Sequence, residues 1–367
     1  MHPKKAPGLD GFSAGFYQID PPLFGEIMRR VFSYQLERGE LLGMQRRSAV
    51  SLLFKGGDRR NTGNYRLISL IPVEVKVLTR ALAYRVNELL PHLIHPIQNG
   101  FVRGRRIHDH VIFLRDLQHK HTLDDEEGYA MFLDFEKAYD RINWDIMFDT
   151  LECFNFGPRF LQWLRLLYHH PIAHLVINGK LSDAIFPSRG VKQGDPLSSL
   201  LFVLSVEPLS QLLRDHEELG IPFSENQIAT ALLFADDMTI LASSLENIER
   251  QLDLVDDFCS FSGARLNRNK CKVLTLNNNQ LIHAHPRLNM VGSEVPIRYL
   301  GIHLGHMLSH QRQLNIISDT FYASFVTWGC RARTLKGRRL VANTMILSKL
   351  WHFTAVIPVP HDQAAKW

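Results

Sequence analysis

The chain has 367 residues, of which 45% are hydrophobic and 22% are charged. This composition supports packed cores and excludes a disordered or fibrous chain, and at roughly 150 residues per domain the length predicts about two domains. The formal net charge of +5 suits a polyanionic partner but does not require one, because modest basicity has little specificity.

The cysteines and the apolar segments limit the cellular compartments in which the protein is expected. Cys153, Cys259, Cys271 and Cys330 include no Cys-x-x-Cys pair, so neither a disulfide framework nor a zinc ribbon is indicated, and a reducing intracellular compartment is favoured. The N-terminal residues lack the apolar core of a signal peptide. The apolar run at 200–206 is too short to span a bilayer, so we expect no membrane role.

The first third of the sequence predicts helices and strands in alternation. Apolar residues at helical spacing over 24–32 predict a helix, and the runs 49–54 and 65–71 predict strands. A helix over 73–90 is expected to end at Pro91. Lysines and arginines recur in this region, and taken alone such residues more often form a solvated face than a binding surface.

The middle of the chain is interpreted from its turn residues. An acidic stretch at 124–128 predicts a domain boundary before an apolar strand over 129–133. Asn143 is expected to cap a helix that the Gly-Pro pair at 157–158 ends. The Asn-Gly pair at 178–179 predicts a hairpin after a short strand.

The second half predicts an irregular order of strands and helices, which is typical of an α+β sheet domain rather than a doubly wound one. The acidic residues Asp236 and Asp237, with Met238, are expected at the tip of an apolar hairpin. The predicted elements are strands over 229–235 and 239–242, a helix over 248–261, strands over 273–276 and 297–300, and a basic segment that is helical throughout from about residue 307.

Two of the predicted strands end in carboxylates. Asp134 follows a buried run and needs a cation or hydrogen bonds, because burying an unpaired carboxylate is costly. Asp236 and Asp237 repeat the arrangement, although short strings of this kind are usually turn residues. If the strands are neighbours in one sheet, the acids form an all-oxygen site that suits Mg²⁺ rather than zinc. Two such ions about 3.5–4 Å apart serve the phosphoryl displacement of a polymerase or nuclease.

A glycine-containing loop at 190–199 lies between these strands in the sequence. Asp195 and Pro196 are suited to begin an apolar helix over 197–206, and the glycines allow the backbone to approach a ligand closely. These residues alone favour an ordinary start of a helix and a ligand-binding loop about equally.

Three motifs agree in order and spacing with a known family. Phe-Leu-Asp-Phe-Glu-Lys-Ala-Tyr-Asp at 132–140, Gln-Gly-Asp-Pro-Leu-Ser at 193–198 and Phe-Ala-Asp-Asp at 234–237 resemble the reverse transcriptase domain of LINE-type (non-LTR) retrotransposons. The blocks at 4–17, 55–58, 64–70, 98–101, 266–270 and 299–302 are similar to the remaining motifs of that family. Leu67 stands where the family usually has proline, and Cys271 where serine or threonine is common.

The resemblance implies an α+β fold of the right-hand polymerase type, with an antiparallel palm sheet. It places the fingers with an N-terminal extension at 1–125, the palm with part of the fingers interleaved at 126–305, and a helical thumb, expected to be truncated, at 306–367.

The resemblance also assigns chemical roles to residues of this chain. Asp134, Asp236 and Asp237 correspond to the catalytic metal ligands. Lys270 corresponds to the lysine that protonates or neutralises the departing pyrophosphate, a role that a lysine close to the chemistry can fill.

Further residues are implied to bind the incoming nucleotide. Tyr139 corresponds to the aromatic residue that screens the sugar, since a ring at this place clashes with a 2′-hydroxyl. Gln193 and Gly194 match the strip that supports nucleotide and template, and Arg66, assisted by Lys55, matches the residue that holds the triphosphate. The full set is Lys55, Arg66, Phe135, Ala138, Tyr139, Gln193 and Gly194.

The resemblance implies an RNA-directed DNA polymerase, which is a nucleotidyltransferase. It would extend a DNA primer on an RNA template with dNTPs and two Mg²⁺ ions, for which Mn²⁺ can substitute, and an active enzyme of this kind is expected in the nucleus. Nothing in the sequence resembles an endonuclease or a Cys/His knuckle, so we expect these on an absent part of the element's protein. The alternative is a catalytically inactive remnant that binds nucleic acid. A relative from group II introns is disfavoured by the residues at 4–17 and 64–70.

Overall fold

The computed structural model of the protein describes residues 1–331 and 333–367. Its helices begin and end at residues suited to these positions. Asp20 accepts a hydrogen bond from the Leu23 amide at 3.1 Å, and the helix that follows ends at Gly39, whose φ is 72°. The helices are α1 (Ala14–Tyr17), α2 (Pro21–Arg38), α3 (Val73–Leu93), α4 (Ile107–Asp124), α5 (Ala138–Arg141), α6 (Trp144–Cys153), α7 (Pro158–Tyr168), α8 (Ser198–Arg214), α9 (Leu245–Ser262), α10 (His310–Trp328), α11 (Leu335–Val341), α12 (Ser348–Thr354) and α13 (His361–Lys366).

The strands are short, and most are rich in apolar residues. They are β1 (Arg47–Phe54), β2 (Tyr65–Leu70), β3 (Tyr129–Leu133), β4 (Ile172–Ile177), β5 (Lys180–Leu181), β6 (Ile221–Ser224), β7 (Gln227–Ala229), β8 (Ala231–Phe234), β9 (Asp237–Ala242), β10 (Lys272–Thr275), β11 (Ile297–Tyr299) and β12 (Ile302–Leu304). Over residues 1–331 and 333–367, no helix has both the length and the hydropathy that crossing a membrane requires.

The chain forms two compact units. The first comprises Met1–Arg103, Phe135–Leu212 and Val255–Leu266. Its sheet has the strand order β2-β1-β4-β5, in which β1 pairs antiparallel with β2 and parallel with β4. Fully buried side chains from α2, α3, α6, α7 and α8 form its core. They include Leu36, Leu90, Met147, Leu151, Leu164, Leu201, Leu204 and Leu209.

The second unit comprises Gly104–Asp134, Leu213–Leu254 and Asn267–Trp367. Its main sheet has the order β10-β3-β9-β8, and every neighbouring pair is antiparallel. Apolar side chains from this sheet, from α4, from the β11–β12 hairpin and from α10 and α12 pack into one hydrophobic cluster. Its members include Val111, Leu114, Ala130, Leu241, Leu274, Tyr299, Ile302, Leu314 and Phe353.

Several local predictions are confirmed. Asn143 caps α6, since its side chain accepts a hydrogen bond from the Asp145 amide at 2.9 Å. Asn178 and Gly179 have φ values of 51° and 79° and turn β4 into β5 as a tight hairpin. The mixture of helices and antiparallel strands confirms the α+β class.

Some predicted helix boundaries were wrong. Helix α3 continues through Pro91 to Leu93, because the tertiary packing of its buried residues, among them Val86 and Leu90, outweighs the one hydrogen bond that the proline removes. The Gly-Pro pair at 157–158 begins α7 instead of ending α6, with proline at the first helical position, where its missing N–H costs nothing. The C-terminal segment is not one helix, since Thr334 accepts a hydrogen bond from the Gly337 amide and starts a new helix there.

Candidate active site

The register of β3 and β9 brings two of the predicted metal ligands to the same end of the sheet. Leu133, the last residue of β3, pairs with Met238, the second residue of β9. Because the strands are antiparallel, Asp134 follows β3 at the place where Asp237 begins β9. Acids from distant parts of the sequence therefore lie at one edge of the second unit's sheet.

A tight turn between β8 and β9 carries Asp236. Phe234 pairs with Asp237, so only Ala235 and Asp236 lie between the paired residues. The predicted hairpin tip of Asp236, Asp237 and Met238 was wrong in extent, since Asp237 already belongs to β9. Ala235 has a φ of 55°, a region that residues with a Cβ seldom adopt, and strained backbone of this kind is common at functional sites.

Lys270 approaches Asp134 from the other neighbour of β3. Because Lys272 pairs with Phe132, the residues just before β10 lie beside the end of β3. Lys270 Nζ lies 3.8 Å from Asp134 Oδ2, and the Asp134 amide donates to Cys271 Sγ at 3.5 Å. The two charged side chains are 69% and 46% exposed, so their ion pair contributes little to stability.

The pKa of Asp237 is raised at this edge of the sheet. Loss of hydration, together with the charges of Asp236 and Asp134, raises the pKa of Asp237 to about 6. Tyr299 was not predicted as a site residue, and burial together with the charge of Asp237 raises the pKa of its hydroxyl. The only sign of Tyr299 in the sequence was its place in a motif.

The three acids supply the kind of ligand atom that a divalent cation prefers. In the described part of the chain, residues 1–331 and 333–367, no group of three or more His, Cys, Asp or Glu side chains is arranged to hold a metal ion as it stands. The donors are nevertheless all carboxylate oxygens. Burial and the repulsion from Asp236 and Asp134 together raise the pKa of Asp237, and a bound divalent cation would relieve that repulsion. The residues therefore fit such an ion in chemistry, although their side chains would have to close around it.

The predicted nucleotide-binding residues belong to the first unit. Lys55 and Arg66 lie where the β1–β2 hairpin begins to turn, since Arg66 pairs with Leu53 and the Lys55 amide donates to the Asn64 carbonyl at 2.8 Å. Both side chains are exposed. Phe135 forms an isolated bridge with Leu266.

The segment with Gln193 and Gly194 is attached to β2. The Ser69 amide donates to the Gln193 carbonyl at 2.7 Å. Gly194 has a φ of 111°, and a Cβ on it would lie 2.8 Å from the Ser69 carbonyl oxygen. This close backbone approach requires glycine at position 194 for a structural reason, independent of any ligand.

Tyr139 stacks on a phenylalanine that the sequence did not single out. Its ring lies parallel to that of Phe202, with centroids 4.3 Å apart and an interplanar angle of 10°. Ala138 and Tyr139 begin α5, and the Tyr139 carbonyl accepts a hydrogen bond from the Val191 amide at 2.8 Å. Phe202 is one of many apolar residues of α8, so nothing in the sequence marks it as the support of Tyr139.

We expect Gly190→Ala to destabilise the first unit by about 1–3 kcal/mol. Gly190 has a φ of 82°, and a Cβ on it would lie 2.6 Å from the Asp140 carbonyl oxygen. Urea denaturation measures the loss. Gly179→Ala is the matched control, because its φ of 79° is similar but its Cβ would meet nothing within 4 Å. Equal losses in the two variants would show that the contact with Asp140 is unimportant.

Carboxylates gathered at one place, where they could hold two divalent ions, are found in phosphatases, nucleases and polymerases. The sequence pattern described as "Reverse transcriptase (RNA-dependent DNA polymerase)" matches residues 55–304. The chain belongs to this family, and it is a reverse transcriptase domain of the LINE type, as the sequence motifs predicted. Its members are RNA-directed DNA polymerases, which generally use divalent metal ions.

The relatives are proteins of mobile elements. The chain is 32% identical to the "Transposon TX1 uncharacterized 149 kDa protein" of Xenopus laevis over 96% of its own length and 27% of that protein. It is 31% identical to the "Retrovirus-related Pol polyprotein from type-2 retrotransposable element R2DM" of Drosophila melanogaster, over 72% of this chain and 24% of that one. The chain thus spans about a quarter of the length of these relatives.

Solved structures of similar fold include telomerases. Apo telomerase from Candida tropicalis matches with a TM-score of 0.53 and 12% identity, over 94% of this chain and 64% of that one. Telomerase of the same species in complex with a fragment of telomeric RNA matches with a TM-score of 0.51 and 12% identity, over 90% and 57% of the two chains. At this identity the likeness concerns the fold alone, and it confirms the right-hand polymerase fold.

Proposed function

We propose that this chain is a catalytically active RNA-directed DNA polymerase domain, which adds dNTPs to the 3′-hydroxyl of a DNA primer on an RNA template. The observation that carries the proposal is the convergence of Asp134, Asp236, Asp237 and Lys270 at one end of an antiparallel sheet. The telomerase of similar fold that was solved with an RNA fragment supports RNA as the template.

In this proposal, Asp134, Asp236 and Asp237 would hold two Mg²⁺ ions, for which Mn²⁺ could substitute. Bound there, such ions would supply positive charge against the charge that develops on the reacting oxygens. Lys270 donates a proton to the departing pyrophosphate.

The residues of the first unit bind the nucleotide in the same proposal. Lys55 and Arg66 neutralise the triphosphate, Tyr139 screens the sugar, and Gln193 with Gly194 supports the base pair. Residues 1–125 then act as fingers, 126–305 as palm and 306–367 as thumb.

Primer extension tests the proposal directly. The purified protein is given a DNA primer annealed to an RNA template, the four dNTPs, and Mg²⁺ or Mn²⁺ over a range of salt concentrations. We expect template-directed extension that requires the metal and stops on addition of EDTA. No incorporation under any of these conditions would contradict the proposal.

If the chain is instead an inactive remnant, the same samples would bind RNA without extending the primer. It would bind RNA with an affinity that falls steeply with salt, because basic side chains displace counterions from the phosphates, while incorporation stays undetectable. Filter binding across a salt series, run beside the extension assay, distinguishes the two functions.

We expect Lys270→Ala to lower the rate of incorporation by about 10²-fold but to change the free energy of unfolding by less than about 0.5 kcal/mol, because its ion pair with Asp134 is exposed. Single-turnover incorporation and urea denaturation measure the two effects. Lys270→Arg separates the roles, since arginine keeps the charge but does not release a proton. Full activity in Lys270→Arg would exclude proton donation and leave charge neutralisation.

A further inference from the structure

We propose that Asp140 is a positioning residue, which orients the side-chain amide of Gln193 for the incoming nucleotide. This inference rests on the proposed function, because it takes Gln193 as a nucleotide-binding residue. Neither the sequence motifs nor the family resemblance gave Asp140 a role.

The backbone around Asp140 is fixed against the loop that leads to Gln193. The Gly190 amide donates to the Ile142 carbonyl at 2.7 Å, and the Val191 amide donates to the Tyr139 carbonyl at 2.8 Å. Gly190 itself packs directly on the Asp140 backbone. These contacts on either side hold Asp140 in a constant position relative to the loop.

The Asp140 side chain shares a pocket with Gln193. The pocket has a volume of about 370 Å³ in the first unit, and its lining includes Ser48, Ser69, Asp140, Trp144 and Gln193. Within it, the Gln193 amide donates a hydrogen bond to the Asp140 carboxylate.

The ionisation of Asp140 agrees with this arrangement. Burial raises the pKa of Asp140, while the charges of Lys137 and Lys55 and the hydrogen bond from Gln193 oppose that rise by favouring the ionised form.

The chemistry of the contact determines how the amide must lie. An ionised carboxylate can only accept hydrogen bonds, so it selects the orientation in which the Gln193 nitrogen faces Asp140. The other end of the amide, Gln193 Oε1, is left to accept a hydrogen bond from another group. Without the carboxylate the two amide orientations become similar in energy.

The test measures nucleotide binding without turnover. Binding of a dNTP matched to the template is titrated to the protein with a dideoxy-terminated primer on an RNA template and Mg²⁺. We expect Asp140→Asn and Asp140→Ala each to weaken binding about tenfold, while single-turnover incorporation at saturating dNTP changes less than about threefold. In Asp140→Ala/Gln193→Ala, the dissociation constant should equal that of Gln193→Ala, because the two residues act as one unit.

Asp149→Asn is the matched control, since Asp149 is an exposed acid on α6 and should leave binding unchanged. Unchanged dNTP affinity in Asp140→Asn, or fully additive losses in the double variant, would overturn the inference. Failure of both Asp140 variants to fold, seen by circular dichroism, would overturn it too, because Asp140 would then be a structural residue. If the wild-type protein extends no primer, the proposed function fails instead, so the two failures are distinguishable.

Discussion

Asp237→Asn is expected to lower the rate of nucleotide incorporation by about 10³-fold or more. The same substitution is expected to stabilise the folded protein when no metal is present. The loss of activity follows because an amide lacks the charge that a divalent cation requires from its ligands. The gain in stability follows because the substitution removes a charge that has lost part of its hydration and is repelled by Asp236 and Asp134.

The stabilisation should depend on pH in a definite direction. The pKa of Asp237 is raised to about 6 in the folded protein, above the value of about 3.9 for an unperturbed aspartate. The ionised carboxylate therefore destabilises the folded state, and this cost is absent below about pH 4 and complete above about pH 6. Because part of Asp237 remains in contact with water, which weakens the interactions of its charge, we expect the difference at pH 7 to be only about 1 kcal/mol.

Denaturation with urea in EDTA, at pH values from 4 to 7, measures the difference between wild type and Asp237→Asn. Asp319→Asn, at an exposed acid on α10, is the control and should show no such pH dependence. Adding Mg²⁺ should stabilise the wild type and leave the variant unchanged. An active Asp237→Asn enzyme, or a variant less stable than the wild type at pH 7, would contradict this account.

Tyr139→Ala is expected to relax discrimination against ribonucleotides by about 10- to 100-fold, a range typical of removing one steric contact. The ring of Tyr139 is held in a fixed plane by its stacking on Phe202 at 4.3 Å. A fixed ring excludes a 2′-hydroxyl more strongly than a mobile one, because it cannot move aside at low cost. The ratio of kcat/KM for a dNTP and the matching rNTP, measured by primer extension, gives the discrimination.

Tyr139→Phe is the control, because it keeps the stacked ring and should keep the discrimination. Phe202→Leu tests the support itself, since it removes the stacking but leaves Tyr139 in place, and we expect an intermediate effect. An unchanged dNTP-to-rNTP ratio in Tyr139→Ala would remove this residue from the sugar-screening role.

The local structure was largely predictable from the sequence. Asn143 indicated the start of α6, and the Asn-Gly pair indicated the β4–β5 hairpin. Both features depend on interactions within a few residues of the chain. Helix α4 was not predicted, since histidines and charged residues interrupt its apolar spacing. The continuation of α3 past Pro91 was also not predicted, because the packing that offsets the cost of the proline involves residues distant in the sequence.

The candidate site was also predictable only in part. The sequence showed two predicted strands that end in aspartates, but it could not show whether those strands are neighbours in one sheet. Only the strand register showed that Asp134 lies beside the start of β9 and that Lys270 reaches it from β10. Register between distant segments depends on which apolar faces pack together, and no local pattern encodes it.

By itself, then, the sequence determined the family and the α+β class, and it supplied the acids that we propose for the chemistry, because these follow from motifs and from the period of apolar residues. The tertiary structure decided which side chains support them. Phe202 under Tyr139 and Asp140 beside Gln193 could not be foreseen. The physical reason is that the sequence does not show which residue an apolar or acidic side chain will contact. Close packing and the cost of burying a charge select that contact when the chain folds.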